Sequence, residues 1–179
     1  ESPIGFAHRR LSIIDLSETA NQPMQDRSGN YHIVFNGAIY NFQALRQDLE
    51  TAGSRFRTKS DTEVLLEAYK KWGTNCLERL NGMFAFAIWD RPKRKLFLAR
   101  DRLGEKPLFY FPLPEGGLVF ASELKALLAH PASPRDLDLN AVSQFLSFGY
   151  VPGVTCIISR IKKLPPGHFL IAENGELHE

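Results

Sequence analysis

One short segment, residues 83–89, constrains the fold more than any other. It reads Met-Phe-Ala-Phe-Ala-Ile-Trp, so large and small apolar residues alternate and no charge interrupts them. A strand with one face in water alternates apolar and polar residues instead. The segment therefore predicts a β-strand that is buried on both faces, with protein on each side of its sheet.

A strand and a helix are predicted upstream of this segment. Residues 32–36 have an apolar centre with the β-branched Ile33 and Val34, and they end at an Asn-Gly pair that is typical of a turn. Asn41 is a good N-cap residue, apolar residues recur at helical spacing from Phe42 to Leu49, and Gly53 closes the pattern. The pattern predicts an amphipathic helix that packs on a sheet.

A second helix is predicted from a capping box. Ser60 stands three residues before Glu63, a spacing at which each side chain can bond the backbone N–H of the other residue. These residues predict the start of a helix that ends at Gly73, with a short helix around 76–80 after it.

The rest of the chain completes the predicted architecture. Residues 82–122 predict a β-meander, 123–129 and 139–148 predict helices, and 169–172 predicts a last strand. Strands and helices come in blocks, which indicates an α+β layered domain and not a doubly wound parallel sheet.

Composition and charge narrow the classes of function. The 179 residues suit one compact domain, and the 22 basic and 20 acidic residues are scattered, with no run of five like charges. We therefore expect no nucleic acid partner and no membrane partner. No stretch approaches the roughly 18 apolar residues that span a bilayer, so the predicted location is the cytoplasm.

The cysteine pattern gives no metal site. Cys76 and Cys156 lie far apart, with no CxxC pair and no neighbouring histidine cluster. They are expected to be reduced, structural thiols, and no metal site is expected.

Five segments resemble the class II glutamine amidotransferase domain of the asparagine synthetases. They are residues 8–17 (HRRLSIIDLS), 35–41 (FNGAIYN), 60–64 (SDTEV), 81–87 (NGMFAFA) and 100–104 (RDRLG). The tail, with GYVP at 149–152 and KLPPGH at 163–168, is similar to the connection into that family's synthetase domain. Residues 1–150 are therefore expected to form the amidotransferase domain, and 151–179 an exit segment.

The resemblance implies a fold and a reaction. The fold is the N-terminal-nucleophile fold, a four-layer αββα sandwich of two antiparallel sheets, here expected to lack its first strand or strands. In the reaction, an N-terminal cysteine attacks the side-chain amide of glutamine and releases ammonia. The protein must supply donors for the oxyanion and charged groups for the amino-acid end of glutamine.

The resemblance also assigns four site residues. Asn36 and Gly37 match the oxyanion hole, in which the Asn amide and a Gly backbone N–H point at one oxygen. Arg10 matches the residue that pairs with the α-carboxylate of glutamine, and Arg9 is the bystander. Asp61 matches the residue that binds the α-ammonium, although the start of a helix also explains an acid there.

Three features of the chain remain open at this stage. His8 and His168 have no possible partner residue at a recognisable spacing in the sequence, so both are expected to be structural. The segment 100–104 could lie near the face where ammonia leaves, or it could be a charged hairpin loop.

Two departures from the family pattern qualify the assignment. Ala38 stands where most members carry a glutamate that contributes to the glutamine pocket. The chain starts at Glu1 and lacks the nucleophilic cysteine, which neither Cys76 nor Cys156 can replace. We expect a piece of a longer protein that is inactive by itself and binds glutamine weakly at best.

The expected parent is a glutamine-dependent asparagine synthetase. Its partners would be glutamine, aspartate and ATP, and its own C-terminal synthetase domain. ATP and Mg2+ would act in that domain, because these residues contain no Gly-rich phosphate loop, and no cofactor is expected in this chain. The alternatives are a non-catalytic scaffold domain and a glutaminase that serves another carboxylate acceptor.

Overall fold

The computed structural model describes residues 4–10 and 14–179, and these contain two antiparallel sheets. The large sheet consists, in spatial order, of β1 (Met24–Gln25), β2 (Tyr31–Ile39), β3 (Gly82–Asp90), β4 (Lys95–Arg100), β8 (Phe169–Glu173) and β9 (Glu176–His178). The small sheet consists, in spatial order, of β6 (Leu118–Ala121), β5 (Phe109–Pro112) and β7 (Lys162–Lys163).

Four α-helices accompany the sheets in the described part of the chain. They are α1 (Phe42–Thr51), α2 (Asp61–Trp72), α3 (Leu124–Leu128) and α4 (Leu139–Phe148). A 3₁₀ helix, Gly73–Arg79, continues directly from α2, and a shorter one covers Glu18–Ala20. None of the helices in 4–10 and 14–179 has the length and apolar character needed to cross a membrane.

Side-chain alternation along the central strands builds the layers. On β3, Phe84, Phe86 and Ile88 pack against α1 and α2. Ala85 and Ala87 point the other way, into a second core that includes Leu108 and Tyr110 near and in the small sheet. A third core lies between the small sheet and α3. The order helix, sheet, sheet, helix confirms the predicted four-layer α+β sandwich, and β3 is the doubly buried strand that residues 83–89 predicted.

The helix starts follow the sequence in part. The Ser60 hydroxyl accepts from the Glu63 N–H at 3.2 Å, as a cap should. The Glu63 carboxylate accepts from the N–H groups of Arg57 and Thr58 instead of that of Ser60. Asn41 caps nothing, because its side chain bonds the Arg79 carbonyl and the Asn81 N–H and so holds α1 next to β3.

The β-meander predicted over 82–122 is wrong in one respect. Its first hairpin, β3–β4, belongs to the large sheet and its second, β5–β6, to the small sheet. The chain changes sheets in a loop after β4, where the buried Asp101 carboxylate accepts from the N–H groups of Leu103, Glu105 and Lys106, and of Phe84 on β3. These bonds turn the chain out of the large sheet, which a local hairpin pattern does not show.

Arg100, next to this turn, joins the turn to the segment just after β7. Arg100 donates to the carbonyls of Gly104 and Lys106 within the loop at 2.6 and 2.8 Å, and to that of Leu164 at 2.7 Å. The segment 100–104 is thus a well-bonded loop, and its proposed closeness to an ammonia exit stays a prediction.

The segment 151–179 is part of both sheets. It supplies β7 to the small sheet, and β8 and β9 to the large sheet, where β8 pairs with β4. The division at residue 150 and the role of 151–179 as an exit segment stay predictions.

Candidate functional site

The predicted oxyanion residues lie in the C-terminal half of β2, beyond the two residues that pair with β1. The Asn36 side chain is on the β2 face that looks toward the small sheet, and its Nδ2 lies 3.3 Å from Ser122 Oγ, which follows β6. This contact places the Asn36 amide at the wall of an open cavity of about 830 Å3 between the two sheets. The cavity is lined by residues 5–9 and by parts of β2, β3, β6 and α3.

The backbone N–H of Gly37 points to the outer edge of β2. Gly37 is paired with Phe84 across β2 and β3, but the Phe84 N–H and C=O are both bonded to Asp101. A pair that does not exchange hydrogen bonds directs its polar groups away from each other in an antiparallel ladder. Gly37 is also required sterically, since a Cβ there would lie 2.1 Å from the Met83 carbonyl oxygen.

The peptide before this pair is held by side chains. Gln22 accepts from the Phe35 N–H at 2.5 Å and donates from Nε2 to the Phe35 carbonyl at 3.1 Å. His8 Nε2 lies 3.1 Å from the same carbonyl oxygen. The Phe35 backbone therefore has no free hydrogen-bonding group on this edge, although β1 itself does not reach so far.

Asp61 joins the first turn of α2 to β2. Asp61 is 5% exposed, and its carboxylate accepts from the Ile39 N–H at 3.0 Å, two residues beyond Gly37. Burial raises the pKa of Asp61, while backbone N–H groups and the positive charge of Arg10 act in the opposite direction. In the described residues the hydrogen bonds of the Arg10 guanidinium go to the loop 15–21 and not to Asp61.

Arg10 is bonded to the loop that leads to β1. Its guanidinium donates to the Asp15 carbonyl, and at 3.4 Å each to the Ser17 carbonyl and Asn21 Oδ1. The Asp15 carboxylate in turn accepts from the Lys59 N–H at 2.7 Å, just before α2. Hydrogen bonds to this side chain, that of Ser17 foremost, lower the pKa of Asp15 to about 2.

The structure thus brings the four predicted residues to one end of β2. Asn36 and Gly37 are on the strand, Asp61 is bonded to the strand, and Arg10 is bonded to the loop that leads to β1. Their roles toward glutamine stay predictions. Arg9 lines the cavity, and His168 lies in an exposed turn where its Nδ1 contacts the Pro166 carbonyl at 2.8 Å.

The two cysteines are placed differently from these residues. Cys76 is completely buried in the 3₁₀ helix after α2, and burial raises the pKa of its thiol to about 12. Cys156 is buried beneath the small sheet with Ile158 and Ile161. A buried thiol is inaccessible to a substrate and unreactive, so neither residue offers a reactive group at this site.

Sequence reasoning missed Gln22 and Ser122 and took His8 as structural. Each contacts the site residues only through the fold, since Gln22 meets Phe35 across a turn and Ser122 meets Asn36 from the other sheet. No local pattern signals such contacts. The Gln-Pro pair at 22–23 could at most have indicated a turn before β1.

Comparisons with known sequences bear on the family of the chain. The model of the family described as "Glutamine amidotransferase domain" matches residues 1–179. The chain is 43% identical over 175 residues to asparagine synthetase [glutamine-hydrolyzing] 3 of Bacillus subtilis, covering 95% of this chain and 28% of that protein. It is 41% identical to asparagine synthetase [glutamine-hydrolyzing] 1 of the same organism, covering 97% of this chain and 27% of that protein. The chain thus spans under a third of the length of these relatives.

Solved structures show the same layers. Glutamine phosphoribosylpyrophosphate amidotransferase from B. subtilis, complexed with ADP and GMP, superposes with a TM-score of 0.58 at 25% identity, covering 88% of this chain and 30% of that one. A structure described as the allosteric regulatory enzyme of purine biosynthesis gives a TM-score of 0.60 at 27% identity, covering 89% and 30%. The fold is therefore that of the N-terminal-nucleophile amidotransferases, and the chain belongs to the family of glutamine amidotransferase domains.

Proposed function

We propose that this chain binds glutamine at the end of β2 and that a longer protein containing it hydrolyses glutamine to glutamate and ammonia. One observation carries the proposal. Asn36 and Gly37 are consecutive residues whose side-chain amide and backbone N–H remain turned away from the ladder with β3. Two fixed donors on one rigid strand can stabilise an oxyanion, since they need no reorganisation as its charge develops.

The charges near the two donors suit the other end of glutamine. Arg10 can pair with the α-carboxylate through a planar guanidinium, and Asp61 can accept from the α-ammonium. Both are anchored, Arg10 to the loop 15–21 and Asp61 to β2. Opposite charges on two anchored groups favour a zwitterionic amino acid over a neutral amide.

The chemical step needs a nucleophile at the strand end. A thiol would attack the side-chain carbonyl carbon, and its proton would pass to the leaving nitrogen. Ammonia would then depart and leave a thioester, which water would hydrolyse. We propose that an N-terminal cysteine provides this thiol and that its own α-amine accepts the proton. Cys76 and Cys156 are too buried to serve, so the chain by itself should release no ammonia from glutamine.

The proposed acceptor of the ammonia is aspartate, in an ATP-dependent amidation. The names of the relatives, glutamine-hydrolysing asparagine synthetases, support this choice. ATP and Mg2+ would bind in a part of those longer proteins that this chain does not match.

The test uses the full-length natural protein that contains this domain. Replacement of Asn36 by Ala should lower the rate of glutamate release from glutamine by about 100-fold with little change in KM, because only the transition state uses the second oxyanion donor. Asn140→Ala, at an exposed position at the start of α4, is the matched control and should keep the wild-type rate. A wild-type protein that releases no glutamate, or an Asn36→Ala variant with an unchanged rate, would contradict the proposal.

A further inference from the structure

The peptide that precedes the two donor residues is held in an unusual way. In the large sheet, β1 pairs with β2 only at Met24 with Ile33 and at Gln25 with His32. Two residues further along β2, the next pairing position on this edge is Phe35, and no strand in residues 4–10 and 14–179 pairs with it. The Gln22 side chain takes this place, because its carbonyl accepts from the Phe35 N–H and its amide donates to the Phe35 carbonyl.

A second side chain bonds the same carbonyl. His8 Nε2 lies 3.1 Å from the Phe35 oxygen, and since a carbonyl can only accept, Nε2 must carry the hydrogen. Burial lowers the pKa of His8, which keeps the ring neutral near pH 7. Nδ1 is then an acceptor, and it is buried beside the cavity between the sheets without a hydrogen-bond partner among the described residues.

The two contacts act directly on the geometry of the site. The Phe35 carbonyl belongs to the same peptide plane as the Asn36 N–H, so fixing this oxygen fixes the plane from which the Asn36 side chain departs. Gln22 Nε2 also lies 3.4 Å from Thr62 Oγ1 in the first turn of α2, next to Asp61. The Gln22 side chain therefore lies between the strand that carries the donors and the helix turn that carries the acid.

We infer that Gln22 and His8 are positioning residues that hold the Phe35 peptide and so set the direction of the Asn36 amide and the Gly37 N–H. Their importance for glutamine turnover rests on the proposed function, but their effect on the geometry does not. Gln22 gives two bonds with matched donor and acceptor, which orients the peptide. His8 gives one bond on the cavity side.

The first experiment measures the geometry in this chain by NMR. Gln22→Met keeps the length of the side chain and removes both bonds. We expect exchange of the Phe35 amide hydrogen to become at least about tenfold faster and the resonances of the Gly37 N–H and the Asn36 side-chain amide to move, while the Ile33 amide keeps its protection. Gln43→Met, on the exposed face of α1, is the matched control and should change none of these signals.

A conservative variant separates orientation from simple packing. In Gln22→Glu, a neutral carboxylic acid offers one donor and one acceptor, as the amide does, whereas the carboxylate offers only acceptors to the Phe35 carbonyl. The protection factor of the Phe35 amide should therefore recover as the pH falls through the pKa of this carboxyl group, ordinarily about 4.3. A packing role alone would give no such pH dependence.

The ring nitrogens of His8 provide the second measurement. At pH 7 their 15N resonances should show a neutral ring with the hydrogen on Nε2. A hydrogen on Nδ1 would overturn the assignment of His8 as a donor to Phe35. Unchanged Phe35 exchange and unchanged Gly37 and Asn36 resonances in Gln22→Met would overturn the inference for Gln22.

The last measurement relates the geometry to glutamine. In titrations followed by NMR, Gln22→Met should weaken glutamine binding by about tenfold relative to the wild type and to Gln43→Met. If glutamine does not move the Asn36 and Gly37 resonances of the wild-type chain, this result counts against the proposed function. The hydrogen-exchange data would still decide whether Gln22 holds the Phe35 peptide. If glutamine binds wild type and Gln22→Met equally well after the resonances have moved, the positioning role for this substrate is refuted.

Discussion

The Asp61 carboxyl makes a structural contact and is proposed to make a binding contact, and one substitution separates the two. In Asp61→Asn the amide oxygen can still accept from the Ile39 N–H, whereas the negative charge is lost. We expect glutamine binding to weaken by about tenfold or more, which corresponds to at least about 1.4 kcal/mol. NMR titration of the chain with glutamine measures this change, and Asp136→Asn, at an exposed carboxylate far along the chain, is the control.

The same variant should not lose stability at neutral pH. Burial raises the pKa of Asp61 in the folded state, so the ionised carboxylate opposes folding at pH values above the pKa of the unfolded chain. Removal of this charge should leave the free energy of unfolding equal or higher at pH 7. The difference from wild type should shrink as the pH falls below about 4, because Asp61 is then protonated in both states. A clear loss of stability in urea at pH 7 would contradict this account.

The sequence could single out candidate site residues, whose roles stay predictions, but not the residues that support them. Arg10, Asn36, Gly37 and Asp61 stand in short motifs that can be read locally. Gln22 has no such motif, because its contact with Phe35 exists only when β1 and β2 adopt their particular register. Residues that position a site depend on the fold, and the sequence pattern around them carries no chemistry of its own.

At the scale of elements, the loop after β4 depends on one buried carboxylate. Asp101 Oδ1 accepts from the N–H groups of Leu103 and Glu105, and Oδ2 accepts from those of Phe84 and Lys106. In Asp101→Asn, one side of the group becomes an NH2 that faces two N–H donors. We expect a loss of about 2 to 4 kcal/mol in the free energy of unfolding. Urea denaturation measures this loss, and Glu105→Gln, at an exposed position in the same loop, should stay within about 0.5 kcal/mol of wild type.

The pH dependence of stability tests the same carboxylate. Burial acts to raise the pKa of Asp101, but the four N–H groups lower it by more, and the folded-state pKa lies below its ordinary value. A depressed pKa gives stability that is present above the pKa of the unfolded chain and is lost as the pH falls through the folded-state pKa. Between about pH 5 and pH 2, wild type should therefore lose more stability than Asp101→Asn. Parallel curves for the two proteins would contradict the assignment.

Elements were predicted best where their signals are local. Ser60 caps α2 through its own side chain, and the alternation over 83–89 places β3 between two cores. The change of sheet after β4 was missed, since it depends on the Asp101 bond to Phe84 on a neighbouring strand. The cap expected at Asn41 failed for a similar reason, because bonds to Arg79 and Asn81 compete for its side chain.

At the scale of the whole molecule, one aromatic side chain joins three elements. The side chain of Phe97 on β4 is fully buried. The centroid of its ring lies 5.4 Å from the ring centroid of Tyr69 on α2, 5.5 Å from that of Phe86 on β3 and 5.7 Å from that of Phe169 on β8. Phe97→Ala should cost about 3 to 5 kcal/mol, because the cavity it leaves cannot close without moving a strand or the helix.

Thermal or urea unfolding measures this cost, and the same measurement on a control variant gives the comparison. Phe145, on the exposed surface of α4, offers the same Phe→Ala change where few contacts are lost, and the variant should stay within about 0.5 kcal/mol of wild type. Similar losses for the two variants would show that Phe97 does not connect the layers as described.

The pairing of β4 with β8 has a consequence for the nascent chain. Lys95–Arg100 has its first neighbour, β3, as soon as it leaves the ribosome, but its second neighbour, Phe169–Glu173, is synthesised much later. At about 5–20 residues per second, translation leaves that edge of β4 unpaired for a time on the order of ten seconds. During this interval an apolar strand edge is open to other chains, so newly made protein is the form in which this domain is most exposed to aggregation and to chaperones.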